Sequence, residues 1–500
     1  MANLKSLAKE TAIYGMSSIV GRFLNYLLVP LYTAKLSAAS GGYGVITNVY
    51  ALTALFLILL TYGMETGFFR FANKQGENPT RVYSTILISV FTTSLLFFLL
   101  VVGNLDSVAG YLGYANHPEY IGMMAAVVAL DAFQSIPFAW LRYQKKAWKF
   151  AGLKLLFILM NIGLNLLYFV GLPALYESHP EWVSEFYNPG VGVGYAFGIN
   201  LVCTSSITVL FWPELTGFRY VFDYKLWKQI LAYSFPILIL GLAGILNQTV
   251  DKIIFPLVYK GSEQAGLAQL GIYGGASKIA MIMAMLIQAF RYAYEPFVFG
   301  KAGAKDNCET YAQAMKYFII FALMAFLAVV FYMDLLRYII APDYWEGLRV
   351  VPIVMTAEIF MGIYFNLSFW YKLTDQTRYG AWFSLTGCTV IVLLNVCLIP
   401  QYGYMACAWA GVAGYGICML LSYFIGQKKY PIHYDLKCIG RYTSLAVILY
   451  FLSTLIPTEW ELFLRLAFHT LLMGIFVAYT VKHDFPLGQL PVVGKWFRKK

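Results

Sequence analysis

Charge is scarce in this sequence. Asp, Glu, Lys and Arg make up 12% of its 500 residues against 60% hydrophobic, and the mean hydropathy is +0.65. A soluble domain carries about 25% charged residues, so a water-soluble globule is excluded. Long hydrophilic segments are lacking as well: the longest external loop, about 173–189, is too short to be a domain. Paired cysteines are missing. Cys203, Cys308, Cys388, Cys397, Cys407, Cys418 and Cys438 lie mostly within apolar runs with no Cys-x-x-Cys spacing, which argues against a disulfide or metal framework. The five histidines are scattered and make no metal-ligand pattern. No Ser/His/Asp or Cys/His constellation appears, so no enzyme activity is expected. No cleavable signal peptide is evident ahead of the first apolar run.

What is present is a series of apolar runs of about 20 residues, the length that crosses a bilayer. The expected fold is an all-α polytopic membrane protein with about fourteen spans. They fall near 11–34, 43–72, 82–103, 119–141, 150–172, 190–212, 230–258, 266–298, 313–333, 349–371, 380–400, 404–426, 439–457 and 462–481. Tyr and Trp gather at segment ends, as in interfacial belts. The net charge of +11 does not imply a nucleic-acid partner. With the amino terminus inside, about 26 Lys and Arg, Lys149 and Lys154 among them, fall on inner segments. Only about five (Lys35, Lys260, Arg337, Arg349, Arg465) fall outside. Both termini are therefore expected in the cytoplasm.

The chain repeats itself at an offset of about 226–230. Gly15 falls on Gly241, Asn25 on Asp251, Gly44 on Gly271, Asp131 on Glu358 and Asn165 on Asn395. Six spans separate the copies, so both halves have one orientation and an axis along the membrane normal should relate them. The expected organisation is an N-lobe (1–212), a cytoplasmic linker (213–229) and a C-lobe (230–426). Two further spans (427–484) and a basic tail (485–500) follow. The linker reads as amphipathic, and the tail as a surface anchor to anionic lipid.

Charges inside spans mark function, because an arginine at the bilayer centre costs at least roughly 2.5–3.5 kcal/mol. Arg22 lies on one stripe of the first span with Gly15, Ser18 and Asn25. Glu65, Arg70 and Asp131 complete the set in the first lobe; Asp251, Lys252, Lys278, Arg291, Glu295 and Glu358 make up the second. Lys278, Met281, Met285, Gln288, Tyr292 and Glu295 follow helical spacing as one polar stripe. The bland readings are local. Glu65 with Arg70, or Arg291 with Glu295, would be interfacial pairs, and Asp131, Glu358 and Arg22 would be buried structural ties. Adjacent Asp251 and Lys252 should point in different directions. Gly-rich runs such as 271–275 read as close helix packing rather than phosphate cradles.

One further pattern spans the opening. A glycine-bearing amphipathic span leads to Pro30-Leu31-Tyr32-Thr33-x-Lys35-Leu36, then Tyr43-Gly44, then Gly63 to Arg70-Phe71. This resembles the polysaccharide biosynthesis (Wzx-type) branch of the multidrug/oligosaccharidyl-lipid/polysaccharide (MOP) exporter superfamily, span count included. The resemblance implies alternating access in the bacterial cytoplasmic membrane, flipping undecaprenyl-pyrophosphate-linked oligosaccharide from inner to outer leaflet. Arg22, Asn25, Arg70, Asn247, Lys278, Gln288 and Arg291 are the expected substrate contacts. Arginine suits pyrophosphate because its planar fork binds two oxygens at once. Asp131, Asp251, Glu358, Glu65 and Glu295 are the expected ion-coupling residues, with H⁺ or Na⁺ as the coupled ion and no other cofactor. Membrane lipids and polysaccharide assembly proteins are the expected partners, with a monomer as the working unit. Lipid II flippases and multidrug exporters share this fold and remain alternatives. A membrane-embedded polymerase or ligase is a further one, disfavoured by the short external loops.

Overall fold

The computed structural model describes residues 26–300, 307–374, 376–457 and 460–484, with side chains for all of these except 292–300 and 307. Helix makes up 86% of it, with no strand among the described residues. The main helices are α1 (Leu28–Lys35), α2 (Gly42–Thr61), α3 (Met64–Ala72), α4 (Pro79–Gly103) and α5 (Pro118–Tyr143). They continue as α6 (Ala147–Leu166), α7 (Gly194–Leu210), α8 (Tyr224–Val258), α9 (Glu263–Gly300) and α10 (Asn307–Phe331). The last are α11 (Val351–Leu367), α12 (Arg378–Tyr402), α13 (Tyr404–Lys429), α14 (Leu436–Thr454) and α15 (Leu462–His483). Among the described residues, twelve helices are long and apolar enough to cross a membrane, and α7 is a shorter apolar helix at the expected sixth span. The first expected span lies mostly outside the described residues, so a count of fourteen is not reached.

Local chemistry sets the helix ends. Asn78 caps α4 by accepting from the Thr80 N–H, with Pro79 in the first turn. Asp223 caps α8 through Lys225 N and Leu226 N, and Asp435 caps α14 through Cys438 N. The expected span 43–72 is broken at Tyr62–Gly63, where both residues have positive φ (30° and 73°). A methyl at Gly63 would also come within 2.8 Å of the Ser234 carbonyl, so α3 leans on α8 where a side chain would not fit.

The chain forms two compact units. The first runs to Gly275 and adds Gly387–Ala410; the second holds Ala276–Thr386 and the chain from Gly411 onward. In the first, Met64, Phe68, Val82, Tyr83, Ile86, Ala132, Ile136 and Ile230 pack as a core between α3, α4, α5 and α8. Tyr83 stacks on Trp140 with ring centroids 4.6 Å apart. The linker is strapped across α4: Val221 N donates to Ser84 Oγ (2.7 Å), and Asp223 pairs with Arg81. Beneath it, buried Glu214 meets Lys149 at 2.6 Å. In the second unit, α14 and α15 pack against α10, and Lys316 on α10 meets Asp484 at 2.6 Å.

Candidate functional site

A cavity of about 470 Å³ opens within the first unit between α2, α3, α5, α6 and α7. Its apolar wall includes Leu57, Ile58, Phe138, Phe150, Phe157 and Ile207. Its polar groups are Thr61, Glu65, Asp131, Gln134, Ser135, Arg142 and Lys154. Two acids and two bases thus share one space among apolar helices.

Geometry separates the four charges into two levels. Arg142, in the last turn of α5, pairs with Glu65 in the first turn of α3, and its guanidinium lies 4.9 Å over the Phe69 ring. Asp131 occupies the middle of α5, about 17 Å further along the axis at 1.5 Å per residue. Lys154 on α6 lies close enough to act on Asp131 electrostatically, and its Nζ rests 4.0 Å over the Phe138 ring. Gln134, one turn below Asp131, is held by Nε2 donating to Thr204 O (2.8 Å) and Thr208 Oγ1 (2.7 Å). The site is therefore a polar cavity with the Glu65–Arg142 pair at one level and the charges of Asp131 and Lys154 deeper in.

The other expected residues are distributed differently. Asp251 is buried, and Lys252 Nζ reaches both of its carboxylate oxygens at 2.9 Å. The expectation that these neighbours diverge is corrected: the flexible lysine stem bends back, because a buried carboxylate left without a cation is costly. Tyr273 on α9 donates to the same carboxylate (2.8 Å), while Asn48 on α2 donates to the Lys252 carbonyl (2.7 Å). Asp251 thus ties α8 and α9 within the first unit, beside buried Asn247. Arg70 is exposed, its guanidinium 4.2 Å over the Tyr233 ring, and it does not line the cavity. The Glu65–Arg70 pairing is replaced by Glu65–Arg142, since α3 is set by the break at Gly63 rather than continuing α2.

In the second unit Lys278, Gln288 and Glu358 are half-buried, and the Arg291 guanidinium lies 4.2 Å over the Phe365 ring. Arg22, Asn25 and the side chain of Glu295 lie outside the described residues.

Sequence reasoning missed Arg142 and Lys154 as site residues. A signal existed for Lys154, which lies inside the expected span 150–172 although the topology count placed it on an inner segment. The repeat-related asparagines also diverge. Asn165 accepts from Tyr32 Oη (2.7 Å) and donates to Asn161 O (2.8 Å). Asn395 is fully buried, and neither amide atom has a hydrogen-bond partner among the described residues.

Comparison with known proteins places this geometry. The family model described as "Polysaccharide biosynthesis protein" matches residues 7–296. The chain belongs to that family. Protein 1 of the Lsg locus of Haemophilus influenzae is 20% identical over 293 residues, covering 58% of this chain and 65% of that protein, just under two thirds of its length. Among solved structures, the lipid II flippase MurJ in an inward closed conformation superposes with TM-score 0.72 at 14% identity, covering 93% of this chain and 98% of that one. An inward-facing multidrug resistance MATE transporter of the MOP superfamily gives 0.61 at 14% identity, covering 81% and 93%. These likenesses establish the fold: this member of the polysaccharide biosynthesis family has the membrane architecture of MOP transporters.

Proposed function

We propose that this protein is a flippase that carries a polyprenyl-pyrophosphate-linked oligosaccharide from the inner to the outer leaflet of the bacterial cytoplasmic membrane by alternating access. The observation that carries the reading is the cavity with Arg142 and Lys154 among apolar helices, in a chain of this family. A lipid-linked sugar needs cations for its pyrophosphate, polar groups for its hydroxyls and an apolar wall, and all three meet there. If about two pyrophosphate charges cross a potential of 100 mV, inside negative, the field contributes up to roughly 4–5 kcal/mol toward export.

Asp131 is the preferred coupling residue for H⁺ or Na⁺. It lines the cavity, whereas Asp251 is already held by Lys252 and Tyr273. Lys154 supplies the competing cation, so binding of the coupled ion and release of Lys154 toward the substrate are exchangeable. A multidrug-type exporter of organic cations would need an acidic cavity; here two acids face two bases. The protein works as a monomer with both termini cytoplasmic, alongside polysaccharide assembly proteins.

The test is depletion followed by identification of the lipid-linked sugar that accumulates on the inner leaflet. Lys154→Ala should lower flipping at least about tenfold, the scale of one lost charge-assisted contact, while Arg70→Ala leaves it within about twofold. Full flipping in Lys154→Ala would refute the assignment of the cavity. Accumulation of lipid II instead of an oligosaccharide precursor would move the substrate to peptidoglycan synthesis.

A further inference from the structure

At the far end of α10 from Lys316, the chain turns through the short helix Met333–Leu336 and Asp334 comes to lie between two arginines. Arg337 Nη1 is 3.7 Å from Asp334 Oδ1, and Arg465 Nη2, from the first turn of α15, is 3.3 Å from the same oxygen. All three are largely shielded, with Asp334 and Arg465 at 16% exposure and Arg337 at 27%. One carboxylate therefore serves two guanidinium groups. The Nε of each arginine is buried without a hydrogen-bond partner among the described residues. The Arg337 guanidinium also lies 4.5 Å over the Trp345 ring, whose indole N–H is taken by the Arg337 carbonyl (3.0 Å).

This excess of positive charge is not explained by topology. Cations are sparse on the side of the membrane where this cluster falls: the charge count gives only about five there. Arg349 has its own Glu346. A shielded cation without a full counter-charge is costly, and nothing in helix packing alone requires two arginines on one acid. The surroundings say what could complete the charge. Leu335, Phe463 and Leu464 are exposed apolar side chains next to the cluster in sequence, and Tyr338, whose hydroxyl accepts from Arg337 Nη2 (3.4 Å), and Trp345 are of the type found at the membrane–water boundary. An anion arriving there with several oxygens and an apolar tail meets two planar forks and a hydrocarbon-facing surface.

We propose that Arg337, Arg465 and Trp345, gathered around Asp334, form a binding site for the phosphate group of a lipid at the outer membrane surface. Asp334 offsets one of the two guanidinium charges and competes with the phosphate for the forks; the phosphate offsets the other. The phosphate can come from a bilayer phospholipid or from a prenyl diphosphate carrier. The site stands independently of which substrate crosses the cavity.

The test is titration of the purified full-length protein by native mass spectrometry, with dioleoyl-phosphatidylglycerol and farnesyl diphosphate as separate probes. Arg337→Gln/Arg465→Gln should weaken binding of at least one probe about tenfold or more, the scale of one charge-assisted contact. Arg337→Lys/Arg465→Lys, which keeps charge but loses the fork, should fall between. Asp334→Asn should bind as tightly as wild type or more tightly, because it removes the competing carboxylate. Loss confined to phosphatidylglycerol identifies a bilayer lipid, and loss confined to farnesyl diphosphate identifies the carrier. Wild-type binding of both probes in folded Arg337→Gln/Arg465→Gln would overturn the site. So would a matching loss of lipid in Asp334→Asn, which would reduce the arginines to a clamp between α10 and α15.

Discussion

Asn165 and Asn395 fall on each other at the sequence offset of about 230, yet their surroundings give them opposite energetics. Asn165 is satisfied by Tyr32 and Asn161, so Asn165→Leu strands the Tyr32 hydroxyl and should destabilise by about 1–3 kcal/mol. Asn395 already carries an unpaired buried amide. Asn395→Leu should therefore leave stability unchanged or raise it by up to about the same amount. Thermal melts of the two variants in detergent decide this, and equal destabilisation would refute it. The same contrast explains which site residues were legible. Asp131 stood out because a carboxylate in an apolar run is anomalous by itself. Lys154 did not, because a lysine near a span end is ordinary until α6 is seen to place it in the cavity that Asp131 lines.

Elements meet where side chains are absent. A methyl built on Gly44 of α2 would lie 1.8 Å from the Leu267 carbonyl of α9, and one on Gly271 would lie 2.9 Å from Gly44 N. The two repeat-matched glycines thus touch each other, as small residues do where membrane helices approach closely. Gly44→Ala should destabilise by about 1–3 kcal/mol through overpacking. Gly103→Ala, with open space around it, should be neutral in the same melt.

In the second unit, Asp484 follows α15 and joins it to α10 and α14. Burial alone would raise its carboxyl, but the Lys316 ammonium and the Tyr442 hydroxyl, both at 2.6 Å, outweigh burial and hold it below the usual carboxylate range. A depressed carboxylate adds stability that is complete above its unfolded value, about 3.9. That stability disappears as pH falls through the lower folded value. Asp484→Asn should therefore melt below wild type at pH 7, with the gap closing as pH drops below about 4. A gap constant down to pH 3 would remove the ionic explanation.

For the whole molecule, orientation follows from where positive charge gathers. Trp148, in the first turn of α6, and Trp182, between α6 and α7, are both exposed and should lie on opposite sides of the membrane. In a cysteine-free background, a membrane-impermeant maleimide should label Trp182→Cys in intact cells, and Trp148→Cys only after lysis. Labelling of both in intact cells would invert or break the topology.

Hydropathy was enough to read an all-helical membrane protein, and twelve of the expected spans meet helices long and apolar enough to cross a membrane among the described residues. These are properties of short stretches: a 20-residue apolar run must be helical in hydrocarbon whatever its neighbours are. Pairing of charges was not legible, because it depends on how distant helices rotate against each other. Glu65 found Arg142 rather than Arg70 because the chain breaks at Gly63, and Lys252 folded back on Asp251 because its stem is flexible. Asp334 gathered one arginine from its own turn and another from a helix more than a hundred residues away. Only tertiary packing brings such groups together, since low-polarity surroundings make each buried charge seek whichever partner the packed helices put within reach.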